Sequence, residues 1–246
     1  MSRNGVWVAC ACALAAGSFS SSARADVLID NVGEPTRDTT IFSTVAPDDI
    51  WGAQAFLVSR RYTLDSVQML LSGTQAGSDV VIELREGADP SGVAVATFTL
   101  PPLPPGGPEV VTLVPDAPFT LLPNTQYWIV IGVQSAGAIG WSYADGNANS
   151  GTEAIAAYSY SFDMGVTWGV QGTDNPYQFR IDGTRTCDPD FNQDGNVDQD
   201  DIECLAQVVA GDPSCSPLDA DFNGDGNVDQ DDIDALAQVV AGQPCP

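Results

Sequence analysis

The chain has 246 residues and a formal net charge of −25, with eight arginines, no lysine and no histidine. Phosphates would repel so acidic a chain, which excludes nucleic acid and anionic membrane surfaces as expected partners. The missing histidine excludes every hydrolase triad that uses an imidazole base. The length is sufficient for one medium domain and one small domain.

Residues 1–25 have the composition of a secretory signal peptide. Arg3 supplies the positive start, and Ala23 to Ala25 form a small-x-small cleavage site. The apolar run between them, GVWVACACALAAG, is shorter than the roughly 20 residues that a membrane span needs. We therefore predict cleavage before Asp26 and a secreted, extracellular product with no membrane insertion after signal removal. Whether that product is released or attached to a cell surface stays open.

Residues 26–185 consist of short runs rich in β-branched and aromatic residues, separated by Gly, Pro, Asn and Asp clusters. The runs are FLVSRRYTLDSVQMLLS, DVVIELREG, VAVATFTL, EVVTLVP, TQYWIVIGV, IGWSYA and YQFRIDG. No helix of ten or more residues is expected among them. The pattern predicts an all-β antiparallel sandwich of jelly-roll type.

Four tryptophans follow the signal segment. Trp51 and Trp128 lie inside apolar runs and are predicted to be buried. Trp141 and Trp168 lie nearer to turns and are the candidates for a sugar-stacking face, with core packing as the alternative. Trp168 also ends SFDMGVTW, a single Asp-box pattern, which we interpret as a structural turn because a propeller needs several copies. No catalytic constellation is visible, and we predict a non-catalytic protein.

The last 60 residues contain a duplication. DFNQDGNVDQDD begins at Asp190 and DFNGDGNVDQDD at Asp221, and residues 190–211 match 221–242 at 19 of 22 positions. Apolar residues recur at helical intervals after each dodecapeptide. The pattern predicts a loop followed by a helix, used twice, with each copy covering the apolar face of the other.

Each dodecapeptide has the spacing of a calcium loop, with oxygen-bearing side chains at positions 1, 3, 5, 9 and 12 and a backbone carbonyl at position 7. Glycine at position 6 allows the sharp turn. Position 12 is Asp where a bidentate Glu is usual. The predicted ligands are Asp190, Asn192, Asp194, Asn196, Asp198 and Asp201 in the first loop, and Asp221, Asn223, Asp225, Asn227, Asp229 and Asp232 in the second. The sequence thus predicts two bound Ca²⁺ ions.

Four cysteines lie in the same part of the chain, as expected for two disulfides in an exported protein. Four cysteines allow three pairings. We favour Cys187 with Cys245, which joins the two ends of the segment, and Cys204 with Cys215.

Two loop–helix units without a leading helix resemble the type I dockerin family, in a cysteine-bearing subgroup, over residues 187–246. The resemblance implies a small all-α domain, residues 186–246, that binds calcium and docks to a cohesin on a scaffold or cell surface. The family's partner-reading positions, 10 and 11 of each loop, are here Gln199 with Asp200 and Gln230 with Asp231. The family often has Ser-Thr there, so well-known cellulosomal cohesins are not the expected partners. The identical pairs imply docking in either of two orientations.

The runs WGAQAFLVSRRYTLDSVQMLLS, VVIELREG, LLPNTQYWIVIGV and IGWSYADGN resemble an exported bacterial β-sandwich family known as the choice-of-anchor domain, over residues 27–182. That resemblance implies an anchored surface protein and no defined reaction. The sequence therefore favours an exported β-sandwich attached through its calcium-binding tail. The alternatives are a carbohydrate-binding component of a polysaccharide-degrading assembly and, after it, a small glycoside hydrolase.

Overall fold

The structure, a computed structural model, describes residues 25–44, 49–73, 80–103, 106–135, 137–169, 172–216, 218–243 and 245–246. The predicted signal segment, apart from Ala25, lies outside the described residues. Among the residues that are described, no helix is both long enough and apolar enough to cross a membrane.

In the described residues, twelve β-strands precede two α-helices. The strands are β1 (Ala25–Asp30), β2 (Thr36–Ser43), β3 (Trp51–Val58), β4 (Tyr62–Gly73), β5 (Val80–Glu86), β6 (Val93–Thr97), β7 (Glu109–Leu113), β8 (Thr120–Leu121), β9 (Thr125–Val133), β10 (Ala138–Ala144), β11 (Ala154–Ser161) and β12 (Phe179–Arg185). The helices are α1 (Gln199–Val209) and α2 (Gln230–Val240).

The strands form two antiparallel sheets. One has the order β1-β12-β4-β10-β2, with β7 and β8 also paired to β4, and the other has the order β11-β3-β9-β5-β6. Buried side chains from both sheets belong to one apolar cluster, so the sheets share a core. This arrangement confirms an antiparallel, mostly β fold and fits the predicted sandwich. The jelly-roll topology stays a prediction.

Alternation along the strands determines which side chains reach that core. In β5, Ile82 and Leu84 are buried in the core, whereas Glu83 and Arg85 point outward and form an ion pair of 2.9 Å. A period of two residues places successive side chains on opposite faces of a strand. The polarity pattern of the sequence therefore determines the orientation of this strand.

Strand β9 is buried on both faces. Ile129 and Ile131 point into the shared core, while Trp128 and Val130 join a second cluster on the outer face of the five-stranded sheet. The Trp51 indole lies across Gly132, where a Cβ atom would come closer to its ring than atoms can approach. The predicted burial of Trp51 and Trp128 is confirmed, at 5 % and 0 % exposed.

Helices α1 and α2 begin in the same way. The side chain of Asp198 accepts the N–H of Asp200, and Asp198 and Asp201 form a capping box; Asp229 and Asp232 repeat it. Such boxes satisfy N–H groups that would otherwise lack partners at the helix start. Leu205 and Leu236 lie in one shared cluster, as predicted for two copies that cover each other.

Two disulfides close this C-terminal part of the chain. Cys187 is bonded to Cys245 and Cys204 to Cys215, which is the pairing favoured from the sequence. Disulfides are typical of proteins that fold in an oxidising compartment outside the cytosol.

Candidate metal centre and neighbouring surfaces

In the first dodecapeptide, the predicted ligand side chains at positions 1, 3 and 5 accept hydrogen bonds from backbone N–H groups of the same loop. The carboxylate of Asp190 accepts the N–H groups of Asp194 and Gly195, both at 3.0 Å. Asn192 Oδ1 also accepts the N–H of Asp194, and Asp194 Oδ1 accepts the N–H of Asn196, each at 2.8 Å. Backbone N–H groups of the loop thus fix the side-chain oxygens at positions 1, 3 and 5.

The second dodecapeptide repeats this geometry except at one bond, because Asp221 Oδ1 accepts the N–H of Gly224 at 2.8 Å and not that of position 5. Asp221 accepts the N–H of Gly226 at 3.0 Å, Asn223 accepts that of Asp225 at 2.8 Å, and Asp225 accepts that of Asn227 at 2.8 Å. Equal sequence at these positions gives equal local structure, because every bond closes within the loop itself.

The carboxylates at position 12 are the most deeply buried charges of both loops. Asp201 is 0 % exposed and accepts the N–H groups of Asn192 and Asp198 at 3.0 and 2.8 Å. Asp232 is also 0 % exposed and accepts the N–H groups at the same two loop positions, both at 2.9 Å. In the part of the chain that the structure describes, neither is paired with an arginine. A buried carboxylate without a cation is costly.

The two loops differ in what lies against them. The guanidinium of Arg60, between β3 and β4, contacts the Asp221 carboxylate and lies 3.4 Å from Asp219 Oδ2. Arg185, at the end of β12, donates to the backbone carbonyl of Asp221. As a result Asp221 is only 4 % exposed, whereas its counterpart Asp190 is partly exposed.

A sequence difference between the repeats matches this contact. Position 4 is Gln193 in the first loop, where it is exposed, and Gly224 in the second. Both have positive φ, 61° and 83°. A Cβ atom on Gly224 would collide with the guanidinium of Arg185. Glycine therefore makes room for the arginine that joins the second loop to the sheets.

Sequence reasoning missed this arginine contact. The sequence feature that could have indicated this contact is the Arg60-Arg61 pair. It is the single basic pair after the predicted signal peptide, in a chain with a net charge of −25. Arg61 pairs with Asp188 at 3.1 Å. The acids that balance this pair lie more than 120 residues away in the C-terminal segment, and residue spacing carries no information about such distant contacts.

The predicted partner-binding residues Gln199, Asp200, Gln230 and Asp231 are all exposed. They occupy the first turns of α1 and α2, directly after the capping aspartates. Their side chains are therefore accessible from solvent in both copies.

Within the part of the chain that the structure describes, no three His, Cys, Asp or Glu side chains gather closely enough to hold a metal ion. The predicted ligand set draws additionally on Asn side chains and a backbone carbonyl. Neither protein-family models nor curated proteins give a match to this chain.

The structure corrects the interpretation of Trp141 as a sugar-stacking residue. Its side chain is 0 % exposed, stacks on Tyr177 with ring centroids 4.4 Å apart, and donates from Nε1 to the carbonyl of Gln178 at 2.9 Å. A ring with no exposed face has nothing to offer a ligand. The cause is its strand, since β10 lies between β4 and β2.

Trp168 is partly buried and packs on the outer cluster that contains Trp51 and Trp128. It follows the Asp-box turn, in which Asp163 accepts from the Ser161 hydroxyl and from both the N–H and hydroxyl of Thr167. The turn is held by its own hydrogen bonds, as its structural interpretation predicts. A sugar-stacking role for Trp168 stays a prediction.

The Asp-box turn carries a pH signature. Hydrogen bonds from the side chain and backbone of Thr167, and then from Ser161, lower the pKa of Asp163 to about 2. The folded-state pKa of Asp163 is below the unfolded value of about 3.9. The stability that these hydrogen bonds contribute to the folded protein is therefore present above about pH 3.9 and is lost as the pH falls through about 2. We expect Thr167→Val to raise the Asp163 pKa, measured by NMR titration of the carboxyl carbon.

The carboxyl of Asp89 provides an internal control for that titration. Its pKa is lowered by bonds from Ser91 and must not change in the Thr167→Val variant. A parent Asp163 that titrates near 3.9 would contradict the hydrogen-bonded turn.

Proposed function

We propose that residues 186–246 bind two Ca²⁺ ions, one in each dodecapeptide. Support comes from oxygen donors in the order of a calcium loop, repeated with the same hydrogen bonds. The observation that carries the proposal is the full burial of Asp201 and Asp232, each held by two N–H groups and, within the described residues, by no arginine. A bound divalent cation supplies the missing positive charge.

The donor set favours calcium over other metals. It consists of carboxylate, amide and carbonyl oxygens, which hard cations prefer, and the chain contains no histidine. Magnesium usually retains several waters and one or two carboxylates, whereas each loop offers four Asp side chains and two Asn residues. Bound calcium would offset part of the 15 negative charges of residues 187–246, which contain no basic residue.

We infer that this tail is a dockerin-like module that attaches an exported, non-catalytic protein to a cohesin-type partner on a scaffold or cell surface. Attachment through the tail would display the β-sheet part on that scaffold or surface. The proposal is supported by the exposed residues in the first turns of α1 and α2, which repeat the same Gln-Asp pair. Duplicated surfaces would let either helix face the partner.

Capture from the secreted fraction of the source organism, with calcium and with EDTA, tests the attachment. Alanine at Gln199 and Asp200 alone, or at Gln230 and Asp231 alone, is expected to leave capture intact because the other copy remains. Alanine at all four is expected to abolish it. Capture that persists in EDTA or in the fourfold variant would contradict the docking proposal.

The arginine contact makes the two proposed calcium sites unequal. Arg60 engages Asp221, which is position 1 of the second loop, whereas among the described residues no arginine contacts position 1 of the first loop. An ion in the second loop must share this carboxylate with the guanidinium. We expect Arg60→Ala to tighten calcium binding at the second loop by roughly fivefold, or about 1 kcal/mol for a partly exposed pair.

Calorimetric titration of the full chain measures this effect, with Arg61→Ala as the matched control. Arg61 is adjacent and pairs with Asp188, which is outside both loops. The affinity of the first loop should be equal in both variants. A weaker second site in Arg60→Ala would show that the arginine supports the loop instead of competing with the ion.

A further inference from the structure

A polar cavity of ≈ 250 Å³ opens between the two sheets, away from the calcium loops. It is bordered by β2 and β10 of one sheet, β11 of the other and the segment that leads into β12. Its lining is Arg37, Thr40, Tyr143, Tyr158, Tyr160, Asp174, Asn175 and Tyr177. Four tyrosines from three different parts of the chain thus meet at one place.

The rings are arranged around Tyr177. Tyr143, Tyr158 and Tyr160 each present an edge-to-face geometry to it, with centroid distances of 6.4, 6.3 and 6.3 Å. Behind Tyr177, Trp141 stacks in parallel and holds the ring in place. Tyr177 is 1 % exposed, whereas the other three tyrosines are partly exposed and offer accessible ring surface.

Two polar groups at this cavity, the Tyr177 hydroxyl and the Arg37 guanidinium, have no hydrogen bond or ion pair of good geometry with the described residues. The Tyr177 hydroxyl is buried and has no hydrogen-bond partner of good geometry among the described residues. Burial raises its pKa well above the usual value, so it remains a protonated donor. A buried hydroxyl costs free energy unless it is paired, and the neighbouring hydroxyls of Thr40 and Tyr160 are the groups that can relieve this cost.

Arg37 is the second such group. In the described part of the chain, Arg60, Arg61, Arg85 and Arg180 form ion pairs and Arg185 donates to backbone carbonyls, whereas Arg37 forms no ion pair. A free guanidinium is notable in a chain with a net charge of −25. It adds up to five donors at the rim of the tyrosine cavity.

We propose that the tyrosine-lined cavity binds one neutral pyranose sugar ring. Sugar hydroxyls both donate and accept, and the lining offers donors in Arg37 and the hydroxyls of the partly exposed tyrosines, and acceptors in Asp174 and Asn175. The apolar C–H face of a sugar matches aromatic ring surface. The volume suits a single ring, because pockets for larger organic ligands measure about 300–1,000 Å³.

Charge selects against an acidic sugar at the same place. Asp174 and Arg37 both line the cavity and their charges offset each other, so it is the strong negative charge of the whole chain that repels the carboxylate of a uronate. This site is separate from the tryptophans that the sequence suggested. Trp141 serves it only from behind, as a positioning residue for Tyr177.

Saturation-transfer NMR on the full chain, in calcium, tests the proposal with four neutral probes: the methyl pyranosides of glucose, galactose, mannose and xylose. Methyl glucuronide is the charged comparison. We expect saturable binding of at least one neutral probe. The glucuronide should bind at least about fivefold more weakly than that probe. Arg37→Gln and Tyr160→Ala should each weaken the bound probe about fivefold to tenfold.

Arg85→Gln is the matched control, because it removes the same charge from the other sheet and does not border the cavity. It should leave sugar binding unchanged. Thermal unfolding identifies any variant that has lost its fold, and Arg37 is exposed, so its replacement is expected to preserve the fold. No saturable binding of any neutral probe, equal binding in both cavity variants, or preference for the glucuronide would each overturn the proposal.

Discussion

Removal of calcium with EDTA is expected to unfold helices α1 and α2 while both β-sheets stay folded. The physical reason is charge, because residues 187–246 contain 15 acidic side chains and no basic one. In the closed loops without a cation, the carboxylates of Asp201 and Asp232 would be buried with no positive charge beside them. This arrangement costs free energy, and opening the loop exposes the carboxylates to water. The two disulfides keep the opened segment compact.

Hydrogen–deuterium exchange of the full chain measures this directly, since it reports α1, α2 and the strands separately. A calcium site with a dissociation constant near 10⁻⁴ M is typical of modules that work outside cells. Calcium at 100 times that dissociation constant stabilises the folded loop and helix by about 2.7 kcal/mol. Amides of each helix should therefore exchange about 100-fold more slowly in roughly 10 mM calcium than in EDTA.

Single-loop variants separate the two sites. Asp194→Ala and Asp225→Ala each remove the exposed position 5 ligand and should abolish calcium protection of the helix that follows. Asp200→Ala is the matched control, because it removes an equally exposed charge from position 11, which is outside the predicted ligand set. Equal exchange with and without calcium in the parent chain would refute the calcium proposal.

Trp141→Ala is expected to lower the free energy of unfolding of the β-sheet part by about 3–5 kcal/mol. The substitution removes a fully buried indole, its stacking on Tyr177 and its hydrogen bond to Gln178. It also leaves a cavity behind the tyrosine cluster. Denaturant unfolding, followed by near-ultraviolet circular dichroism in calcium, measures the loss.

Phe162→Ala serves as the control for that measurement. Its side chain is 66 % exposed at the tip of the Asp-box turn, so its removal should change stability by less than about 0.5 kcal/mol. A loss below about 1 kcal/mol in Trp141→Ala would mean that this tryptophan is not part of the packed core. That result would support the alternative that Trp141 is an exposed, sugar-stacking residue.

Local features were predictable from the sequence because their causes are local. Alternation in β5 is confirmed by the burial of Ile82 and Leu84, and the repeated dodecapeptides form matching loops with matching capping boxes. The favoured disulfide pairing is confirmed as well. The strand alternation and the loops depend on residue type and spacing within a short segment, whereas the cysteine count predicted two disulfides and left their pairing as a preference.

Trp141 shows where such reasoning fails. Its place before a turn suggested exposure, yet β10 is an inner strand between β4 and β2, and its neighbours cover the ring. The position of a strand within a sheet depends on pairing between segments far apart in sequence. Nothing within a ten-residue run indicates that position.

By itself, the sequence determined an acidic, mostly β chain that ends in two alike, oxygen-rich loop–helix units closed by disulfides. Only the tertiary structure decided that Arg60 and Arg185 contact the second loop and leave the first free, and that four tyrosines enclose one cavity. The reason is distance along the chain. Hydrogen bonds within a loop follow from spacing, whereas contacts between different elements, such as Arg60 with Asp221 at a separation of 161 residues, depend on how the sheets and helices pack.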